Sequence, residues 1–295
     1  MKCVALILSA FLTGCTTTST DRVVEQDSAA SSIARSVAAQ NAPERLIYRQ
    51  FGDETLSAFV FEPDATRTSD EAVLLFHGGG YFTGGPQSTF MAAKAFASVG
   101  ITAVSIQYRL ADDINTPIEA LSDACHALRW VRTDEQFSHI DDAKVALFGV
   151  SAGAHLAANL VTHGCESPVA PPSALLLSSA SIEVMSFADR FRSLLHNRAE
   201  PEAHSPLHNM ETALPPVAMA HGEMDGLAPI STVEEFCARQ IELGGKCELR
   251  RFPERGHLMS RNLDQQIPGP SFDPDPSDLA ESFAFFIDFL EQNTD

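Results

Sequence analysis

From about Glu44 onward, short apolar runs alternate with segments in which apolar residues recur every three to four positions. Such runs, bounded by turn formers, predict strands buried on both faces, and the longer period predicts amphipathic helices between them. Strands are expected over Leu56–Phe61, Ala72–Phe76, Ile101–Tyr108, Lys144–Gly149, Ala174–Ser179, Pro216–His221 and Cys247–Phe252. Between them, Pro117–Arg132 sets Ile118, Leu121, Cys125, Leu128 and Val131 on one stripe, and a helix over Ser151–Val161 follows a strand directly. Near the end, Leu279, Phe283, Phe286 and Leu290 repeat at helical spacing, an aromatic stripe expected to be core. The alternation implies an α/β fold with a mostly parallel central sheet flanked by helices on both faces. One connection breaks the rhythm: residues 180–214 intervene where a short crossover suffices. Loops of that length in compact domains are usually functional, so this one is expected to be a small cap insertion. Its Phe187, Phe191, Leu194 and Leu195 are expected to wall an apolar pocket.

Composition narrows the class. The chain has 295 residues, 44% of them hydrophobic and 20% charged, which suits one catalytic domain with appendages and a large core. A formal charge of −19 argues against nucleic acid as a partner, because phosphate is held by clustered Lys and Arg. The acidic balance is read as a solvated surface. No internal run of about 18 apolar residues suggests a membrane span.

The first residues differ from the rest. One lysine, a short apolar stretch from Val4 to Leu12 and small residues ahead of Cys15 form a secretory signal over 1–14. The stretch Leu12-Thr13-Gly14-Cys15 resembles the bacterial lipobox, which implies cleavage before Cys15, its lipidation, and anchoring to a bacterial membrane, facing the periplasm. An ordinary secreted protein cut near Gly14 is the alternative. Residues 15–43, rich in Thr, Ser and Ala, read as a flexible tether, with a short helix around Ile33 to Ala39 as the other option. The catalytic domain is then 44–295. Outside the leader, Cys125, Cys165, Cys237 and Cys247 could pair in any of three ways in an exporting cell, or stay buried thiols.

The chemistry is carried by two glycine-rich stretches. Gly149-Val150-Ser151-Ala152-Gly153 lies between an apolar strand and a helical run. A nucleophile at a sharp strand-to-helix turn needs neighbours without bulk two positions away, and the helix start aims the Ala152 N–H at developing negative charge. His77-Gly78-Gly79-Gly80 follows another strand, and consecutive glycines leave backbone N–H groups free to point inward. Asp225 and His257 both follow strands, so both project from the carboxyl edge of a parallel sheet, where ligands bind. Glu223 is the rival acid. A metal site among His196, His204 and His208 is disfavoured, since no Cys or Glu-His motif accompanies them. His155, one turn after Ser151, is expected to be packed or hydrogen-bonded.

With HGGGYF, SIQYRLA, ALRWVR, FGVSAGAHLA, HGEMDGLAP and ERGH in place, roughly Ala72 to Phe289 resembles the hormone-sensitive-lipase-like esterases and the acetyl-esterase branch of the α/β-hydrolases. That resemblance implies the α/β-hydrolase fold, Ser151 as nucleophile, Asp225 as acid and His257 as base. It makes Gly79, Gly80 and Ala152 the oxyanion donors and gives His77 a bracing role. Val150 and Ala154 depart from the lipase-like GDSAGG and move the match toward acetyl esterases. The expected activity is hydrolysis of short-chain esters, with a small-molecule or glycan ester as partner, the membrane met through the lipid only, and no metal or cofactor. Carbohydrate O-deacetylation, an arylformamidase-type amidase and a non-catalytic binding lipoprotein stand as alternatives; oligomeric state is left open.

Overall fold

A computed structural model describes residues 42–63, 68–263 and 272–293. Cys15 and nearly all of the 15–43 stretch lie outside the described residues. Eight strands form one sheet: β1 (Glu44–Phe51), β2 (Glu54–Phe61), β3 (Ala72–Phe76), β4 (Thr102–Ile106), β5 (Val145–Val150), β6 (Leu175–Ser178), β7 (Val217–Gly222) and β8 (Cys247–Phe252). Their order is β1-β2-β4-β3-β5-β6-β7-β8. The β1–β2 and β2–β4 pairs are antiparallel and every other pair is parallel.

The six α-helices among the described residues are α1 (Phe90–Ser98), α2 (Pro117–Thr133), α3 (Ala152–Thr162), α4 (Ala188–Leu194), α5 (Ile230–Glu242) and α6 (Pro276–Glu291). Strand side chains alternate between two cores, as a sheet covered on both faces requires. Leu74, Phe76 and Leu147 face the core built with α2, α3 and α5, while Val73, Leu75 and Phe148 face the one built with α1 and α6. The C-terminal aromatic stripe is indeed core: Phe286 is fully buried and meets Phe148 edge-on at 5.6 Å. Helix α2 starts with Pro117 at its first turn behind a reciprocal Thr116–Glu119 capping box, which satisfies N–H groups the helix leaves open.

Strand β1 was not among the expected strands. Its sequence ERLIYRQF buries only Tyr48, because it is the sheet's outer strand and bulges between Ile47 and Arg49. What holds it is a buried charge cluster. The carboxylate of Asp123 on α2 is fully buried and accepts from Arg49 of β1 at 2.6 Å, and from the Arg109 backbone N–H and guanidinium at 2.8–2.9 Å. Both guanidinium groups also lie over the Phe51 ring.

The cysteines form two disulfides, Cys125–Cys165 and Cys237–Cys247. The first joins α2 to the chain leaving α3, and the second joins α5 to β8. The long connection between β6 and β7 holds α4 and short 3-10 turns. Of the four apolar residues expected to wall a pocket, Phe191 and Leu195 are buried with Val184 in a small core of their own against Ile118, Leu194 packs on that core, and Phe187 is exposed. A short insertion must spend its apolar side chains on its own packing before any can line a cavity.

Removing the Asp123 carboxylate leaves two guanidinium groups without their buried counter-charge. Asp123→Ala is expected to cost about 3–5 kcal/mol, measured as a lowered urea midpoint with an unchanged m-value.

Candidate active site

Strand β5 and helix α3 meet at Ser151, whose backbone is strained, with φ 54° and ψ −117°. A non-glycine residue held there costs on the order of 1–3 kcal/mol and persists only where surroundings enforce it. The enforcement is steric and polar. A Cβ at Gly149 would lie 2.3 Å from the Gly153 carbonyl oxygen, and one at Gly153 would lie 2.1 Å from that of Phe76. Only two glycines let the turn close against β3. The Ser151 N–H donates to the Ser178 carbonyl at 3.0 Å, and the His155 N–H donates to the Ser151 carbonyl at 3.0 Å.

Three sequence-selected side chains converge. The His257 Nε2 lies 2.8 Å from the Ser151 Oγ, and its Nδ1 lies 2.7 Å from the Asp225 Oδ2. Asp225 is buried just beyond β7, and its other oxygen accepts from the Leu227 and Ala228 N–H groups at 2.9 and 2.8 Å. A carboxylate acceptor requires the proton on the His257 Nδ1, which leaves Nε2 as the acceptor of the Ser151 hydroxyl. Glu223, the rival acid, is solvent-exposed. The loop that carries His257 is held from below: the Leu258 N–H donates to the Ser179 Oγ at 2.9 Å, and Arg255 pairs with Asp275 and Asp278 of α6 and its cap.

The glycine loop lies against the serine, since a Cβ at Gly78 would come within 3.2 Å of the Ser151 Cβ. Among the described residues nothing accepts from the N–H groups of Gly79, Gly80 or Ala152. Gly79 has φ 120°, and a Cβ there would lie 1.9 Å from the Thr83 carbonyl oxygen, so the loop folds back on itself only with glycine. His77 points away from the serine: its ring stacks on Tyr108 at 4.2 Å, and the Tyr108 hydroxyl donates to the His77 carbonyl at 2.6 Å. Burial lowers the pKa of His77 and raises that of Tyr108, so neither carries charge near neutrality.

Several supporting residues escaped the sequence-based expectations. Tyr81, directly after the glycines, places its hydroxyl 2.6 Å from the His155 Nδ1. Within SIQYRLA, Tyr108 braces His77, Arg109 joins the Asp123 cluster and the Ala111 N–H donates to the Tyr81 carbonyl. His221, buried on β7, lies 3.4 Å from Asp225 and is held by the Ala228 carbonyl. The position of Tyr81 after a glycine run and that of Tyr108 inside a family-like stretch were the available signals. A cavity of about 990 Å³ opens beside the loop, with His77, Phe82, Gln107 and Tyr108 among its walls but not Ser151. Among the described residues no group of three or more His, Cys, Asp or Glu side chains is placed to hold a metal, and no helix is long and apolar enough to cross a membrane. His204 accepts from Asn159 and stacks on His163 at 4.3 Å.

Comparison with known proteins places this architecture. Residues 73–193 match a family described as an alpha/beta hydrolase fold. An arylesterase from Saccharolobus solfataricus is 31% identical over 139 residues, which are 44% of this chain and 45% of that protein. The carboxylesterase NlhH of Mycobacterium tuberculosis is 36% identical over 101 residues, 34% of this chain and 31% of that protein. The matched stretches thus span less than half the length of either curated relative. Among solved structures, Thermogutta terrifontis esterase 2 phosphorylated by paraoxon superposes with a TM-score of 0.70 at 26% identity, covering 86% of this chain and 95% of that one. The chain has the α/β-hydrolase fold.

Acid sensitivity follows from the buried histidines. Burial lowers His155 and His204 from 6.5 to about 4. Between those values the unfolded chain binds protons that the folded one does not, so stability rises with pH across the window and falls as pH drops from about 6.5 toward 4. The melting temperature is expected to fall between pH 7 and pH 4.5, and His155→Asn is expected to give a shallower fall by calorimetry over the same range.

Proposed function

We propose that this chain is a serine carboxylesterase that hydrolyses short-chain esters through an acyl-enzyme. The observation that carries it is the unbroken line from Ser151 through His257 to Asp225 at 2.8 and 2.7 Å. A serine hydroxyl is a poor nucleophile until an imidazole takes its proton. As the Ser151 Oγ attacks the ester carbonyl, His257 Nε2 accepts that proton, and Asp225 steadies the resulting imidazolium without being protonated. The negative oxygen of the tetrahedral intermediate is met by the open N–H groups of Gly79, Gly80 and Ala152. His257 then protonates the departing alcohol, and the same steps with water in place of serine release the acid.

The names of the relatives, an arylesterase and a carboxylesterase, favour ester over amide. The phosphorylated state of the solved esterase supports a serine reactive toward organophosphates. Preference for short acyl groups is supported by the insertion, whose Phe191 and Leu195 are consumed in its own core. Export and lipid anchoring through Cys15 belong to the same proposal: the leader supports them, and so do two disulfides, which persist in oxidising compartments.

With p-nitrophenyl esters from acetyl to dodecanoyl, kcat/KM is expected to be highest at the short end. Ser151→Ala is expected to abolish both turnover and labelling by a fluorophosphonate probe, and Asp225→Asn to lower kcat by on the order of 10³–10⁴-fold. Hydrolysis that survives Ser151→Ala would refute the assignment.

A further inference from the structure

Resting on the esterase reading, we propose that His155 is a positioning residue that, through Tyr81, fixes the glycine loop against the nucleophile helix and so sets the spacing of the oxyanion donors. The two halves of that donor set come from different parts of the chain. Gly79 and Gly80 lie on the loop after β3, while Ala152 starts α3. An oxyanion site works only if its donors stay where the charge will develop, which demands a rigid link between such halves.

Tyr81 supplies one end of the link. It follows Gly80 directly and sits at φ 70°, a conformation a bulky residue keeps only when its surroundings hold it. Its carbonyl accepts from the Ala111 N–H at 2.7 Å and its ring is buried. Its hydroxyl reaches the His155 Nδ1 at 2.6 Å, with the two rings edge to face at 5.7 Å.

His155 supplies the other end. It stands one turn along α3 from Ser151, on the helix that also begins with Ala152. Its Nε2 lies 2.7 Å from the His204 carbonyl. A carbonyl only accepts, so Nε2 bears the hydrogen, Nδ1 keeps its lone pair, and Tyr81 is the donor. Burial holds the imidazole neutral and the phenol protonated, which preserves this direction across the neutral range. Phe191 closes the other side of the imidazole at 5.5 Å. The ring is therefore fully bonded and walled in, and the His204 contact extends the link to the connection between β6 and β7.

A histidine that only fills space would affect stability alone. Tyr81→Phe removes one hydroxyl while keeping the ring, so it tests the link with little disturbance. Its kcat toward p-nitrophenyl acetate is expected to fall about 10–100-fold, since misplacement of a reacting geometry by about 1 Å costs up to that much. KM is expected to stay within about twofold, and the fluorophosphonate labelling rate to fall with kcat. His155→Asn keeps an acceptor near the Nδ1 position and is expected to recover more activity than His155→Gln, which keeps only the donor toward His204. A Tyr81→Phe enzyme with wild-type kcat, or one whose loss appears in KM alone, would overturn the inference. Wild-type protein that neither hydrolyses esters nor reacts with the probe would instead sink the esterase reading, and this one with it.

Discussion

The backbone at Ser151 is the constraint around which the molecule is arranged. A serine at φ 54° is not a conformation the residue chooses; it is imposed by a strand that must become a helix within one residue. That turn closes only because Gly149 and Gly153 carry no side chain, and Gly153 in particular presses on the carbonyl edge of β3. The same closeness sets β3 beside β5 and brings the glycine loop over the serine. Because the central strands are buried on both faces, the strain is backed by two packed cores.

The polar groups around that turn are directed outward from it in layers. Asp225 spends one oxygen on His257 and the other on two backbone N–H groups, so the carboxylate cannot rotate without breaking three hydrogen bonds. The His257 loop carries left-handed residues at Leu258 and Met259 and is secured by Ser179 and by the ion pair of its Arg255 with Asp278 of α6. The glycine loop is secured by Tyr81 and Tyr108. Ser151, His257, Asp225 and the glycine loop therefore each have a rigid neighbour that is itself tied to the sheet or to a helix.

The central strands were legible because two-sided burial writes itself as continuous apolar runs, and their boundaries moved by only one or two residues at most ends. Helices α2 and α6 were legible from their stripes, and α3 from a helical run directly after a strand. The convergence of Ser151, Asp225 and His257 was anticipated from their positions after strands and from a family-like pattern. Strand β1 was not legible: its polar, mostly exposed residues make sense only beside β2 and against Asp123. Tyr81 and His155 share a hydrogen bond across 74 positions, and no local pattern announces such a pair. That Phe191 and Leu195 pack on Val184 was hidden for a related reason, since apolar character says that a side chain will be covered but not by what.

Strand β1 has one more property, its direction. It runs antiparallel to β2, which runs antiparallel to β4, so β1 points the same way as the parallel strands. Through the register that joins Glu44 to Val60, Val104, Leu74 and Leu147, Glu44 nevertheless lies level with the middle of β5, about 13 Å below Ser151 along the strand direction. β1 accordingly runs on past the carboxyl end of β4 and brings Phe51 into the wall of the cavity beside the glycine loop, so the sheet's outermost strand, four places from β5 in the order, shapes the space next to that loop.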